Sequence, residues 1–499
     1  TLLPCEEALT PLLEEHRAVR EAEDLAAMEA AQLRLLQEHP FVVAQVKDVP
    51  SEALAEGVSC KAHNFRMDVS KFKRWLRTPE GKPFEEKGKG FDDGCYLTSA
   101  VLRAFMPRGY TCFLFTDKEG STVSVVMRGF LKFTGLTATD EDEESGATKA
   151  TDAFMFNGYT RADASRFAVT VKSNGENGKY TARRVFGEWY FFAGSKNTGM
   201  AWRIGCDAAS VYPMPKDPGN GGASQVGPKI VRHIHEMLTA MPAETRTSCL
   251  EAIDADGLTV MFEFNDPMHE HIFPIPTVFA DHVALLDRKG FPLPQREAFA
   301  FFDKYGLRHV LCNVYEDTEK LEEVMESVRA STDTEGVVIY LERTDDTPVG
   351  LVKVKSDHYV IARRTRETLR STLVSPIAKG TAIGEALQKS QKQLRQGMRQ
   401  LTHLSGCKER HEEWSECAIA FAHFWADAYR AGDAAKRKDL LAEYSEKYGS
   451  LYHRFWDSWK RGEVSAPVLA EETEVADGNG EGGGASKTEG RNRRRKKKG

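Results

Sequence analysis

The chain has 499 residues, 41% hydrophobic and 28% charged, with a formal net charge of −6. That length allows two or three domains of ordinary size, and the composition is that of a globular chain. No apolar run is long enough to span a bilayer, the first residues lack the basic-then-apolar order of a signal peptide, and the nine scattered cysteines form no C-x-x-C pair, so a membrane span, a disulfide frame and a cysteine zinc site are all disfavoured.

Residues 5–38 read as one or two amphipathic helices, with Leu at helical spacing among Glu, Arg and Ala. Residues 55–135 mix turn signals with strand-like runs, among them 111–115 and 122–126, and an acidic, Gly/Thr-rich stretch at 137–150 reads as an exposed loop. From 152 to 362 strands predominate, with candidates at 169–172, 189–193, 259–264, 336–341 and 350–361. A loop at 219–224 precedes a helix at 226–241. Beyond about 364, segments 364–404, 408–431 and 434–461 carry Trp414, Phe421, Phe424, Trp425, Tyr429, Tyr452, Phe455 and Trp459 at helical spacing. Such a stripe is expected to be helical core rather than a base-stacking surface. Residues 463–499 have the composition of a disordered tail, and its basic end, Arg491 to Lys498, suits phosphates, a nuclear signal or plain solvation.

Five segments carry chemistry. In Val171-Lys172-Ser173-Asn174-Gly175-Glu176, a β-branched strand delivers a lysine into a turn of Asn and Gly. Such a lysine can be a covalent nucleophile if nearby positive charge or a metal removes its proton; alone, the same pattern better describes a surface lysine beside a hairpin. Glu263 is one carboxylate in an apolar strand, suited to a ribose hydroxyl, to a metal or to water. Glu335 precedes Gly336 at the mouth of a buried-type strand, a place for a metal or its bound water, or simply a turn. Lys353 and Lys355 share one strand face, with Val352 and Val354 on the other, and two lysines on one face suit a phosphate between them. Lys196, in Gly194-Ser195-Lys196-Asn197-Thr198-Gly199, adds a cation in a turn. His233-x-His235 and His269-x-His271 have no matching Cys or Asp set and read as ordinary polar positions, and Cys206 and Cys249 have no base nearby in sequence.

Taken in order, Lys172-x-x-Gly175, Glu263, Glu335-Gly336 and Lys353-x-Lys355 resemble motifs I, III, IV and V of the covalent nucleotidyltransferases, which comprise DNA ligases, RNA ligases and mRNA-capping enzymes. Segment 194–199 resembles motif Ia. The likeness spans about residues 110–365. Val126-Met127-Arg128-Gly129-Phe130 resembles the Arg-Gly-aromatic segment of phage and fungal tRNA-repair RNA ligases, and residues 265–271 are similar to the same branch. About a hundred helix-patterned residues follow motif V, where DNA ligases and capping enzymes usually carry an OB-fold.

The resemblance implies an α+β fold, a nucleotidyltransferase (ATP-grasp-like ligase) core of antiparallel sheets with helices, followed by an all-helical C-terminal domain. The expected division is a helical extension at 1–50, the adenylyltransferase domain at 51–365, the helical domain at 366–462 and the basic tail at 463–499. The implied activity joins RNA 5′-phosphate and 3′-hydroxyl ends through lysyl-AMP, with ATP and Mg2+, and Mn2+ as a substitute. In that scheme Lys172 is the nucleophile, Lys353 and Lys355 meet the α-phosphate, and Arg128 the β- and γ-phosphates. Glu335 and Glu263 serve the metal, with Glu263 also placed at the ribose; Gly175, Glu176 and Lys196 complete the nucleotide site. RNA is the expected partner, tRNA one candidate, in a cytoplasmic or nuclear monomer; no P-loop is present, so end-healing enzymes would be separate. A capping-type guanylyltransferase and a catalytically inactive RNA-binding protein of the same fold are the alternatives.

Overall fold

The computed structural model describes residues 10–72 apart from 69, 109–135, 151–214, and 226–464 apart from 333, 406 and 407, together with Glu7, Tyr96 and Arg103. The expected loops at 137–150 and 219–224 and the basic tail lie outside the described residues.

Two helices come first, α1 (Thr10–Arg20) and α2 (Leu25–Glu38). Asp24 caps α2 by accepting from the Ala26 and Ala27 N–H groups, which meets two of the donors a helix start leaves open. Strands β1 (Val42–Asp48), β2 (Ser59–Met67), β3 (Tyr110–Thr116) and β4 (Thr122–Met127) pair antiparallel in that order. β1 thus stands before residue 51 and pairs along its whole length with a strand after it. Buried Glu29 of α2 accepts from the Val126 N–H at 3.1 Å, and its Oε1 lies 3.7 Å from Arg128 and 3.3 Å from Arg183.

Two five-stranded sheets follow. The first contains β7 (Glu176–Val185), β8 (Glu188–Ser195), β9 (Gly199–Arg203), β10 (Thr259–Asn265) and β11 (Phe279–Leu286), ordered β11-β10-β7-β8-β9 and antiparallel throughout. The second contains β5 (Thr134–Gly135), β6 (Arg166–Val171), β12 (Cys312–Tyr315), β13 (Gly336–Glu342) and β14 (Pro348–Lys355), ordered β12-β6-β13-β14-β5, with only β14–β5 parallel. Helices α3 (Val226–Ala240) and α4 (Ala243–Ala255) pack on β8 and β7, α5 (Gln295–Lys304) on β11, and α6 (Leu321–Ala330) on β14.

Period-2 alternation settles which side of the second sheet faces which neighbour. Phe167, Val169, Val337, Ile339, Leu341, Val352 and Val354 form one cluster with Met155 and Met325. The alternate set, which includes Thr170, Val338, Tyr340 and Lys353, turns to the opposite side and lines a cleft. Burying each branched side chain of the first set contributes about 1.5–3 kcal/mol, so a register slip that exchanged the two faces would be strongly disfavoured.

β14 ends earlier than the periodicity predicts. The run expected to stay extended to Ile361 becomes α7 (Asp357–Leu369), because the Ser356 hydroxyl caps it, accepting from the Tyr359 N–H at 3.1 Å. Helices α8 (Ile383–Ser405), α9 (Lys408–Ala431), α10 (Ala434–Glu446) and α11 (Tyr448–Lys460) complete a helical region with its own core, in which Trp414, Phe421, Trp425, Tyr452 and Phe455 are buried. Tyr429 and Trp459 of the stripe are partly buried against that core, and Phe424 is 45% exposed. The fold is therefore mixed, antiparallel sheets with helices followed by a C-terminal helical region. Among the described residues no helix is long and apolar enough to cross a membrane.

Removing Glu29 would leave Arg128 and Arg183 buried without their shared carboxylate. Glu29→Ala is expected to lower the unfolding free energy by about 3–5 kcal/mol, read from urea denaturation followed by circular dichroism; an unchanged midpoint would show that the three groups are not coupled.

Candidate active site

A cleft of about 220 Å³ opens between the two five-stranded sheets. Thr170, Val338, Tyr340 and Lys353 supply one wall, and Asn177, Glu263 and Val283 the other. Segment 130–133, leading into β5, closes a third side with Phe130, Leu131, Lys132 and Phe133. Among the described residues that line the cleft are Lys132, Lys172, Lys196, Lys353 and Glu263.

Lys172 follows the last residue of β6, and its N–H donates to the Gly336 carbonyl at 2.9 Å. This continues the β6–β13 ladder by one residue and brings Lys172 beside Glu335. The Lys172 Nζ lies 2.8 Å from Glu335 Oε1, with the lysine side chain 24% exposed and the glutamate 6%. Burial pulls the Lys172 ammonium down, but the Glu335 and Glu263 carboxylates outweigh it, so its pKa lies above the ordinary 10.5. The sequence suggested a lysine lowered by neighbouring cations; as the protein stands, two carboxylates hold the proton on. Burial pushes Glu263 up to about 8, with Lys172 pulling against it and Glu335 and Glu176 adding to it.

The two motif glycines are explained by contact. A Cβ at Gly175 would stand 2.6 Å from the Phe264 carbonyl oxygen, so the residue lets the turn after Lys172 close on β10. Its φ is not positive, so the turn uses this glycine for close approach to β10 and not for a left-handed backbone. Gly336 does have a positive φ of 138°, and a Cβ would meet the Val354 carbonyl oxygen at 2.0 Å.

Not every expected residue reaches the cleft. Lys353 and Lys196 line it, and Lys355 stands on the same face of β14, opposite Gly336, buried with its Nζ 5.9 Å from the Tyr359 ring centre. Arg128 is placed elsewhere. Its guanidinium is buried, donates to Gln32 Oε1 at 2.8 Å and faces Glu29, and it lines a separate small cavity shared with α1 and α2. Glu176 is likewise not among the lining residues: its Oε1 lies 3.1 Å from His269 Nε2 and 3.3 Å from His271 Nε2, which hold its carboxyl well below the usual range. The His269-x-His271 pair therefore has the partner that the sequence did not show, because Glu176 is brought to it by the Glu176–Phe264 pairing of β7 with β10. Sequence reasoning also missed Lys132, although one lysine inside the apolar run Phe130-Leu131-Lys132-Phe133 was a signal. Cys249 is pushed up to about 12 by burial, which keeps it a thiol.

No protein-family model matches the chain, and no curated protein matches it. Among solved structures it is similar to two forms of an archaeal ATP-dependent RNA ligase. One shows 14% identity over 71% of this chain and 90% of that one, with a TM-score of 0.36. The other shows 13% identity over 87% and 96%, with a TM-score of 0.39. A Naegleria gruberi RNA ligase with ATP and Mn is similar at 14% identity over 40% of this chain and 52% of that one, with a TM-score of 0.26. Likeness of this degree leaves function to the residues of the cleft.

The state of Glu263 gives a pH signature. Between the ordinary 4.5 and about 8, the folded chain keeps a proton that the unfolded chain has lost, so stability is lost as pH rises through that window. Glu263→Gln should remove the loss. The variant is expected to melt above the wild type near pH 9 and level with it near pH 4, and equal melting at both would show that folding does not raise the Glu263 pKa.

Proposed function

We propose that the protein is an ATP-dependent RNA ligase that works through a covalent lysyl-AMP. The observation that carries this is Lys172: a mostly buried amine at a strand end, paired with Glu335, inside a cleft lined by three further lysines. A catalytically inactive binding protein gains nothing from a buried lysine held among other lysines. The order of Lys172-x-x-Gly175, Glu263, Glu335-Gly336 and Lys353-x-Lys355 along the chain, and helices rather than an OB-fold after them, favour the RNA ligase branch.

In this reading the Lys172 Nζ attacks the α-phosphorus of ATP. An N–P bond forms, the bond to the bridging oxygen breaks and pyrophosphate leaves. The AMP passes to an RNA 5′-phosphate, and a 3′-hydroxyl then displaces AMP to seal the strand. Such in-line transfers depend mainly on positioning and on neutralising charge. Lys353, on the cleft wall, neutralises the α-phosphate, with Lys355 beside it on the same face. In this reading Lys196 and Lys132, which also line the cleft, meet the other phosphates, while Arg128 faces Glu29. Phe130, Phe133 and Val283 offer the apolar surface a purine needs.

The carboxylate oxygens of Glu335 and Glu263 suit magnesium, or manganese in its place. Glu335 is paired with the Lys172 ammonium, and burial holds a proton on Glu263 that a bound cation would displace, so the donor set fits a divalent cation. Bound there, the ion would supply the positive charge that frees the Lys172 amine of its proton.

The test is incubation of the purified chain with α-labelled ATP or GTP and magnesium, followed by a denaturing gel. Label from ATP is expected to stay on the protein and to vanish in Lys172→Ala. Label from GTP alone would turn the reading to a capping-type enzyme, and no label from either, with magnesium or manganese, would overturn it. Lys353→Ala should slow adenylylation by about 10²–10³-fold while RNA binding changes little; equal loss of both would count against its phosphate role.

A further inference from the structure

We infer that Glu176, His269 and His271 form a binding site for a divalent transition-metal ion of the zinc class, outside the Lys172 cleft. Among the described residues these three are the group whose side chains can converge on one ion, their ligand atoms all lying within 4.8 Å of one another. The inference does not depend on the nucleotidyl-transfer reading.

Geometry comes first. The two imidazoles stand at alternate positions of one short segment and present Nε2 to the same oxygen, Glu176 Oε1, at 3.1 and 3.3 Å. Ligands bound to zinc at ~2.0–2.1 Å in a tetrahedron lie ~3.3 Å apart, so both spacings are those of ligands around one ion. The His271 Nε2 is shut off from solvent and forms no hydrogen bond, although the carboxylate oxygen is close. A buried ring nitrogen with no satisfied hydrogen bond is available to a Lewis acid once it carries no proton.

The segment is also held ready for the ion. The His269 N–H donates to the Asp266 carbonyl at 2.9 Å, and Asp266 is paired with Lys229 of α3. Glu270, between the two histidines, turns the other way. Its carboxylate accepts from the Ser450 N–H at 2.6 Å and from the Ser450 hydroxyl at 2.8 Å, in the first turn of α11, and its own N–H donates to the Glu446 carbonyl. The Asn174 side chain hydrogen-bonds the Phe273 backbone further along. With its backbone fixed on both sides, the segment loses little freedom when the histidines bind an ion.

The donor set selects the metal. Two imidazole nitrogens and one carboxylate suit zinc, cobalt or nickel, whereas magnesium takes oxygen ligands. Three protein ligands leave a fourth position for water. The ion would tie the start of β7, next to the Lys172 turn, to the segment that receives α11, and so join the cleft to the helical region.

The full-length chain, stripped with chelator, is titrated with Zn2+ by calorimetry and with Co2+ by visible absorption in the presence of excess Mg2+. One equivalent of each is expected, with the absorption of four-coordinate cobalt and a raised melting temperature with zinc. The paired substitution His269→Ala with His271→Ala should lose the equivalent, the absorption and the shift together. Glu176→Gln, which keeps the shape of the site, should weaken binding while the protein stays folded. No stoichiometric binding to the wild type, or binding undiminished in the paired variant, would overturn the site and leave a plain histidine–glutamate cluster.

Discussion

The Lys172–Glu335 pair is the constraint around which the cleft is arranged. It exists because β6 and β13 are neighbours in antiparallel register, which sets the residue after β6 beside the residue before Gly336. A lysine so far out of water is costly as a cation unless a carboxylate meets it, and Glu335, itself buried, has the same need in reverse. Each group therefore makes the other's burial tolerable. The consequence is that the resting amine is protonated, so the proposed adenylylation would have to begin by changing what Glu335 faces. Phosphate and cation arriving together would do this, whereas a permanently lowered lysine would stand open to any electrophile that entered.

The same alternation that builds the sheet makes the cleft. Along β14, Val352 and Val354 are anchored in the apolar cluster behind the sheet, and this fixes Lys353 and Lys355 on the other face. Opposite them, Glu263 and Asn177 stand paired on neighbouring strands of the second wall. The valines and isoleucines of the back face thus act on the site by leaving the polar set no other direction to face.

Local patterns were legible in the sequence for the same reason. The strands around Lys172, Glu263, Glu335 and Lys353 and the helices beyond 383 follow from period-2 and period-3.6 patterning over a few residues, and the aromatic stripe was readable as core. What the sequence did not show were partners distant along the chain. Arg128 sits in a run suggestive of a phosphate ligand, but Glu29 and Gln32, about a hundred residues earlier, take its guanidinium. Glu176 and the two histidines are separated by more than ninety residues and meet only through the pairing of β7 with β10. The end of β14 turned on one serine cap, a signal too short for periodicity to register.

Segment 266–275 gathers these threads. It leaves β10 just after Glu263, sends two histidines to β7 and one glutamate to α11, and meets Asn174 of the Lys172 turn. A Cβ at Gly449 would stand 2.5 Å from the Phe273 carbonyl oxygen, so the helical region touches this segment without the clearance a loose tether would have. The Lys172 turn and the helical region therefore share one piece of backbone, itself fixed by hydrogen bonds at both ends. A displacement of α11 must either break the Glu270–Ser450 bonds or move the histidines against Glu176. That physical link gives the helices, otherwise a self-contained core of their own, a direct bearing on how the Lys172 cleft is held.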